Sequence, residues 1–309
     1  MTWYDKIHYR AILFWEGISL SNVGKSILSV FGALWLIVEI LDYFNQPTVS
    51  DLLKNSWWVF LIAGLTTIVY RHRPRTYFPF EVRNRDVKLS IRIGDIFKSE
   101  GSIVVPVNHK LDVDNKGIVS QSSSILKHFI DFKYDKQHQH LTTDIKAELE
   151  DHQNWYSKFV IDTENETYKI GTVVPVFKDE QYFYLLCNST LNRQNRSKCT
   201  EEDLRNSLNE LWAYLEINGN KDTLTLPVIG TGRGRLNLTR VEVIKEIALS
   251  FLASLNSGSH IEELCIVIHP NDLRKYTLDI NELTEFLRLH CSNTNYKVNQ
   301  SNPTGVPLN

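Results

Sequence analysis

The sequence predicts an α/β domain in which helices cover both faces of a sheet, with a pair of apolar helices before it. From residue 86 onward, short apolar or alternating strand signals come between amphipathic helix signals, as expected for such a layered domain. Two of these helices open with the same start signal, a threonine followed three residues later by a carboxylate, at Thr200 and Thr239. The apolar runs 26–41 and 55–70 predict the N-terminal pair.

The composition is that of a folded protein with a large core. Of its 309 residues 42% are hydrophobic, and its formal net charge is -2, so it lacks the basic excess of nucleic-acid-binding proteins. We therefore expect no nucleic-acid partner. The cysteines have no metal-ligand spacing and are interpreted as reduced thiols in a cytosolic compartment: Cys187, Cys199, Cys265 and Cys291. His138 and His140 lack a third ligand, so we place them in a solvated loop and expect no metal ion and no cofactor.

Residues 1–75 are predicted to form a transmembrane helical hairpin, with helices at about 23–43 and 52–70. The second apolar run is uncharged for sixteen residues, close to the ~20 that cross a bilayer as a helix. The first has an uncharged core of only thirteen residues between Lys25 and Glu39, so a span requires both charges to lie near the interfaces. A buried helical hairpin without a membrane is the alternative.

Basic residues on the outer flanks of the hairpin orient it. They precede the first run and follow the second, and they are Lys6, Arg10, Lys25, Arg71, Arg73 and Arg75. Under the positive-inside rule, both termini face the cytoplasm. We therefore expect two spans of the cell inner membrane, with the α/β domain in the cytoplasm.

A stiff connector over 76–85 and a loose tail over 292–309 bound the α/β domain, which we place at 86–291. Pro74 and Pro79 end the second helix, and no periodic pattern follows them in the connector. The tail is polar and ends in Pro-Thr-Gly-Val-Pro-Leu-Asn.

Within the domain, strand and helix signals follow one another along the chain. Predicted strands cover 87–93, 102–107, 168–177, 181–187, 224–229 and 264–268, and the third and fourth form a hairpin that turns at Lys178-Asp179-Glu180. Predicted helices cover 120–132 and 141–150, begin after Thr200 and Thr239, and finish with one that starts at Asp279.

One stretch has a composition suited to phosphate binding. The strand 224–229 runs into Gly230-Thr231-Gly232-Arg233-Gly234-Arg235, with three glycines spaced two apart. Glycines let backbone N–H groups approach an anion closely, and the arginines would neutralise its charge. The stretch matches neither the P-loop nor the Rossmann fingerprint, and a tight strand-to-helix loop is the alternative.

Four pieces of the sequence, each at a predicted strand end or helix start, together resemble the macro domain family. They are, in order, Gly94-Asp95-Ile96-Phe97, Val104-Val105-Pro106-Val107-Asn108, Gly117-Ile118-Val119 and Gly230-Thr231-Gly232-Arg233-Gly234. The resemblance covers roughly residues 86–291. It implies a three-layer α/β/α fold with a mixed central sheet, which binds ADP-ribose or a related nucleotide in a crevice at the strand ends.

The resemblance also implies a role for each of these residues. Asp95 would accept a hydrogen bond from the adenine amino group, Ile96 would add a backbone contact beside it, and Asn108 would approach the distal ribose. The diphosphate would lie between two segments, Gly117, Ile118 and Val119 on the near side and Gly230, Thr231, Gly232, Arg233 and Gly234 on the far side. Local sequence alone leaves a turn residue as the alternative for Asp95, and a turn-capping side chain for Asn108.

The sequence departs from the family members that hydrolyse ADP-ribosyl bonds. The loop 111–117 has a single glycine where hydrolases usually show several, and the turn before it reads Pro106-Val107-Asn108-His109. We therefore expect ligand binding without turnover and assign no catalytic residue. A membrane-tethered ADP-ribosyl hydrolase and a reader of ADP-ribosylated proteins are the alternatives.

Two membrane helices followed by a macro domain resemble the ThsA-type effector of Thoeris anti-phage defence systems. This resemblance implies a functional partner with a TIR domain, which consumes NAD and releases an ADP-ribose-derived signal. The macro domain would bind the signal, and the ligand would drive association of identical subunits. The hairpins would then disrupt membrane lipid, in an abortive infection that kills the infected cell.

Overall fold

The chain divides into two compact units, residues 1–75 and 76–309. The computed structural model describes residues 20–44, 58, 62, 64–67, 70, 75–113, 124–162, 166–232, 234–256 and 261–292. In the first unit, helix α1 spans Leu20–Tyr43. The second unit holds the sheet and the helices that pack on it.

The predicted transmembrane hairpin is wrong: among the residues that the structure describes, no helix is both long enough and apolar enough to cross a bilayer. The charge pattern of α1 gives the physical reason. Lys25 and Glu39 are both exposed, and they leave thirteen uncharged residues between them, short of the ~20 that a span needs. The predicted inner-membrane localisation fails with it. Most of the predicted second helix, 52–70, lies outside the described residues.

An eight-stranded sheet forms the middle of the second unit. The strands along the chain are β1 (Tyr77–Glu81), β2 (Lys88–Ile93), β3 (Ser102–Asn108), β4 (Val160–Asp162), β5 (Thr167–Tyr168), β6 (Val173–Lys178), β7 (Gln181–Leu191), β8 (Ser197–Lys198), β9 (Thr223–Pro227) and β10 (Glu263–Ile268). The sheet order is β1-β2-β10-β9-β3-β7-β6, with β8 paired to β7, while β4 and β5 pair with each other.

The five central strands of the sheet run parallel to one another. In the middle of β10, Ile266 lies opposite Ile91 of β2 and Leu226 of β9, and Ile103 of β3 lies opposite Phe183 of β7. All five of these side chains are fully buried, as expected for parallel strands covered on both faces. The outer strands β1 and β6 run antiparallel to their neighbours, so the predicted mixed sheet is confirmed.

Strand β1 lies where the sequence predicts a connector. It pairs with β2, with Tyr77 opposite Arg92, because its aromatic side chains favour a half-buried extended chain. Pro79 argues against a strand in the sequence, but β1 lies at the edge of the sheet, where the missing N–H is tolerated. The other edge strand, β6, carries Pro175. Both prolines hinder the pairing of a further strand.

Helices cover both faces of the sheet. One layer holds α2 (Ile125–Lys133), α3 (His138–Asp151) and the short α4 (Gln153–Tyr156), and the other holds α5 (Glu201–Asn218), α6 (Arg240–Ser254) and α8 (Ile280–Ser292); α7 (Pro270–Lys275) follows β10. Successive side chains of β7 face the two layers: the Phe183 ring packs on Phe129 of α2, and the Tyr184 ring packs on Tyr214 of α5. The predicted three-layer α/β fold is therefore confirmed.

Local sequence signals place several elements as predicted. Thr200 and Thr239 cap α5 and α6, and the carboxylates of Asp203 and Glu242 accept hydrogen bonds from the threonine N–H groups at 2.8 and 2.7 Å. The β6–β7 hairpin turns at Asp179-Glu180, with φ of 49° and 60°, as a two-residue turn with two left-handed residues requires.

Two helices differ from their predicted bounds. Helix α2 begins at Ile125, where the Ser124 hydroxyl accepts a hydrogen bond from the Lys127 N–H, and residues 114–123 lie outside the described chain. Helix α3 begins at His138, so His138 and His140 form its first turn and not a loop. The Nδ1 atom of His138 lies 3.2 Å from the carbonyl oxygen of Val113, which ties this turn to the segment after β3.

Candidate functional site

The carboxyl ends of the five parallel strands lie at one edge of the sheet, which is where open α/β sheets bind ligands. In sheet order β2, β10, β9, β3 and β7, the residues at or just beyond these ends are Asp95, His269, Gly230, His109 and Leu191. Predicted site residues from three distant parts of the sequence, Asp95, Asn108 and Gly230, therefore lie at a single edge.

Asp95 lies two residues beyond β2 and caps a short 3-10 helix at Ile96–Lys98. Its Oδ1 accepts a hydrogen bond from the Phe97 N–H at 3.2 Å, and its Oδ2 lies 3.9 Å from the Lys98 ammonium. The side chain is 26% exposed, so the carboxylate is partly open to solvent. Ile96 is buried, which leaves its backbone as the part able to face a ligand. The contacts of Asp95 match the turn alternative, and its adenine contact stays a prediction.

His269 is not among the site residues predicted from the sequence, although the structure places it next to Asp95. It follows β10 and caps α7, where its Nδ1 accepts a hydrogen bond from the Asn271 N–H at 3.2 Å. Burial lowers the pKa of His269, while the carboxylates of Asp272 and Asp95 act in the opposite direction. The strand followed by His-Pro-Asn-Asp, with proline at the first helical position, is the local signal that marks this helix start.

The base of the glycine stretch is held together by close backbone packing. Gly230 has φ of +79°, a left-handed conformation that favours glycine, and its carbonyl accepts a hydrogen bond from the Leu236 N–H at 3.1 Å. A Cβ on Gly234 would lie 2.8 Å from the Gly230 oxygen and 3.0 Å from the Cys199 Cβ. The Cys199 N–H donates to the Gly234 carbonyl at 2.7 Å, which holds Gly234 against the Cys199 backbone, while the Leu236 bond to Gly230 draws the two ends of the stretch together.

The tip of the stretch is open. No described atom lies within 4 Å of the position that a Cβ on Gly232 would take. Among the described residues, the N–H groups of Thr231 and Gly232 have no hydrogen-bond acceptor. Unpaired backbone N–H groups in a turn are the usual donors of an anion site.

Some predicted contacts lie beyond what the structure describes. Arg233 and the segment Gly117-Ile118-Val119 are outside the described residues. Their contacts with a diphosphate therefore stay predictions.

Asn108, at the end of β3, organises the turn that follows it. Its Oδ1 accepts hydrogen bonds from the N–H groups of Lys110 and Asp112, at 2.9 and 3.4 Å. Its Nδ2 donates to the carbonyl oxygen of Asp112 at 2.8 Å, and the residue is buried. These contacts match the turn-capping alternative for Asn108, and they occupy the acceptor and one of the two donor hydrogens of the amide.

A charged pair connects the glycine stretch to the helix after His269. Arg240 opens α6 directly after the stretch, and its Nε and Nη2 atoms each lie 3.3 Å from the Asp272 carboxylate of α7. Its Cζ lies 3.4 Å from the centroid of the Tyr276 ring. The Arg240 side chain is only 10% exposed, so this ion pair, in which Nη2 donates the hydrogen bond, is sheltered from water on the arginine side.

A family model supplies a functional comparison for this geometry. The model of the macro domain of the Thoeris protein ThsA matches residues 89–269, which include all of β2 except Lys88, the glycine stretch and β10. No curated protein matches the chain.

Solved macrodomain structures are only distantly similar to this chain. A mutant of the Oceanobacillus iheyensis macrodomain is 14% identical, covers 69% of this chain and 98% of its own, and gives a TM-score of 0.48. The Oceanobacillus iheyensis macrodomain with ADP is 12% identical over 69% of this chain and 94% of its own, with a TM-score of 0.39. The Trypanosoma brucei macrodomain in complex with ADP is 10% identical over 66% and 68%, with a TM-score of 0.35.

We predict that Gly234→Ala destabilises the protein and that Gly232→Ala does not. The added methyl at Gly234 meets backbone and Cys199 atoms at 3.0 Å or less, so the turn must shift. The expected loss is about 1–3 kcal/mol of the free energy of unfolding. The methyl at Gly232 enters open space, and a change within about 0.5 kcal/mol is expected. Urea unfolding of the two variants measures both, and equal losses would contradict the packing described here.

We also predict that His269 makes stability depend on pH. Because burial lowers the pKa of His269, the unfolded chain binds the proton more readily. The contribution is complete above the ordinary histidine pKa of 6.5 and is lost as the pH falls below it. His269→Asn keeps an oxygen for the Asn271 N–H and removes the titration. Urea unfolding between about pH 7.5 and 5.5 should show a smaller loss in the variant than in the wild type; identical losses would refute this role.

Proposed function

The chain belongs to the family of macro domains of the Thoeris protein ThsA, and on that premise we propose that its second unit binds an ADP-ribose-derived nucleotide. In this proposal the bound nucleotide is the signal that an anti-phage defence system detects. The observation that carries the proposal is the open tip of the glycine stretch, which lies on the same sheet edge as the partly exposed Asp95 carboxylate.

The chemistry of the edge suits the two ends of an adenosine diphosphate group. The Asp95 carboxylate is an acceptor for the adenine amino group. The unpaired N–H groups of Thr231 and Gly232 are donors for phosphate oxygens. Strands β2 and β9 are two steps apart in the sheet, or ~10 Å at the usual strand spacing, so one extended ligand can reach both groups.

We propose that the protein binds this ligand without hydrolysing it. The Asn108 amide, which would approach the distal ribose, is engaged in the turn at Lys110 and Asp112. An engaged amide is a poor device for positioning a reacting group, since moving it would leave two backbone N–H groups without an acceptor. The single glycine of the loop 111–117 supports the same conclusion.

The remaining steps of the proposal concern the source of the signal and the response to it. The nucleotide would be made from NAD by a partner with a TIR domain. Ligand binding would then favour association of identical chains. This requires only that the ligand bind the associated arrangement more tightly than the separate chains, because a ligand without such a preference shifts no equilibrium.

We predict that Asp95→Asn weakens the binding of ADP-ribose by about 1–2 kcal/mol, or roughly 5- to 30-fold, because it removes a charged acceptor from the adenine amino group. Asparagine still caps the Ile96–Lys98 turn, so the fold is retained. Calorimetric titration of the full chain measures the effect. Asp135→Asn is the matched control, since Asp135 is exposed and asparagine suits its φ of 48°. An Asp95→Asn variant with wild-type affinity would remove Asp95 from the site.

A further inference from the structure

The strand order gives the proposed ligand a direction along the sheet edge. With adenine at Asp95 on β2 and the diphosphate at the glycine stretch after β9, the rest of the ligand continues toward β3 and β7, the next strands in order. Those two strands lie one and two steps beyond β9, or ~5 and ~10 Å. This step rests on the proposed function, because it takes the two contacts named there as fixed points.

His109 is the residue directly beyond β3, and its backbone is fixed on both sides. Its N–H donates to the Ser189 carbonyl of β7 at 2.8 Å, and its carbonyl accepts from the Tyr168 N–H of β5 at 2.7 Å. The peptide groups on either side of the side chain are therefore held by two different strands. Because the backbone of His109 is fixed in this way, its side chain loses little freedom when a ligand binds.

The imidazole of His109 is held in a single tautomer. The Leu191 N–H donates to its Nδ1 at 3.3 Å, so Nδ1 carries the lone pair and the proton of the neutral ring is on Nε2. Burial and the charge of Lys110 lower the pKa of His109, which keeps the ring neutral near pH 7. The Nε2–H lies on the other side of the ring from the nitrogen that bonds Leu191, and within the described residues it has no hydrogen-bond partner.

The neighbouring side chain does not supply a comparable donor. The Asn108 amide is engaged in the turn at Lys110 and Asp112 through its oxygen and one of its two N–H groups. His109 is partly exposed, whereas Asn108 is buried. Of these two side chains at the end of β3, His109 therefore carries the more exposed donor, its Nε2–H.

We propose that His109 is a specificity-determining residue, whose Nε2–H donates a hydrogen bond to the part of the ligand beyond the diphosphate. The partner is an acceptor oxygen or nitrogen of the terminal sugar or of the group attached to it. His109 then distinguishes an ADP-ribose-like ligand from ADP, which ends at the diphosphate and does not reach β3.

The test compares ADP-ribose with ADP on the full chain carrying His109→Asn. The asparagine oxygen replaces Nδ1 as the acceptor of the Leu191 N–H, so the strand end is kept while the Nε2–H is lost. We expect the affinity for ADP-ribose to fall roughly 3- to 10-fold and that for ADP to stay within about twofold of the wild type. His152→Asn is the matched control, because His152 is 61% exposed at the far end of α3; it should change neither affinity.

Each outcome has a distinct meaning. A loss confined to ADP-ribose supports the assignment. Equal losses for both ligands would mean that His109 acts through the strand end alone, and no loss for either would mean that it does not face the ligand; both results overturn the inference. If the wild type binds neither ligand, the proposed function itself fails and this inference falls with it.

Discussion

The parallel pairing of β2, β10, β9, β3 and β7 is the constraint on which the candidate site depends. It brings the carboxyl ends of five strands to one edge, although the residues there come from chain segments as distant as Asp95 and His269. The strands themselves are largely buried and apolar, and open α/β sheets of this kind bind ligands where the strands end. The two outer strands, β1 and β6, run antiparallel and each contain a proline. Their carboxyl ends do not lie at this edge.

At this edge the two ends of the glycine stretch are fixed by hydrogen bonds, while its middle is open. Cys199 and Leu236 fix the ends of the glycine stretch, and Arg240 connects it through Asp272 to the helix that His269 caps. The groups that remain for a ligand, the N–H of Gly232 among them, sit on this base. Such an arrangement favours binding because little ordering remains to be done when the ligand arrives.

Short-range sequence patterns predicted most of the strands and helices. The capping boxes at Thr200 and Thr239 and the hairpin turn at Asp179-Glu180 were predictable, because each depends on residues three or fewer positions apart. Strand β1 was not predictable, because a proline argues against a strand unless the strand is known to lie at the edge of a sheet.

The site was only partly predictable from the sequence. Asp95, Asn108 and the glycine stretch were found by resemblance, and the strands that precede them end at one edge of the sheet; their contacts with a ligand stay predictions. The nearness of His269 to Asp95 depends on a tertiary contact that no spacing reveals. The Asn108 amide instead bonds residues two and four positions further along the chain, as the turn-capping alternative expects. The central claim is that this edge binds an ADP-ribose-type nucleotide and leaves it intact. Calorimetric titration of the full chain with ADP-ribose, followed by chromatography of the recovered ligand, tests it most directly. The account predicts saturable binding at one site per chain with the nucleotide unchanged; no detectable binding, or a cleaved product, would contradict it.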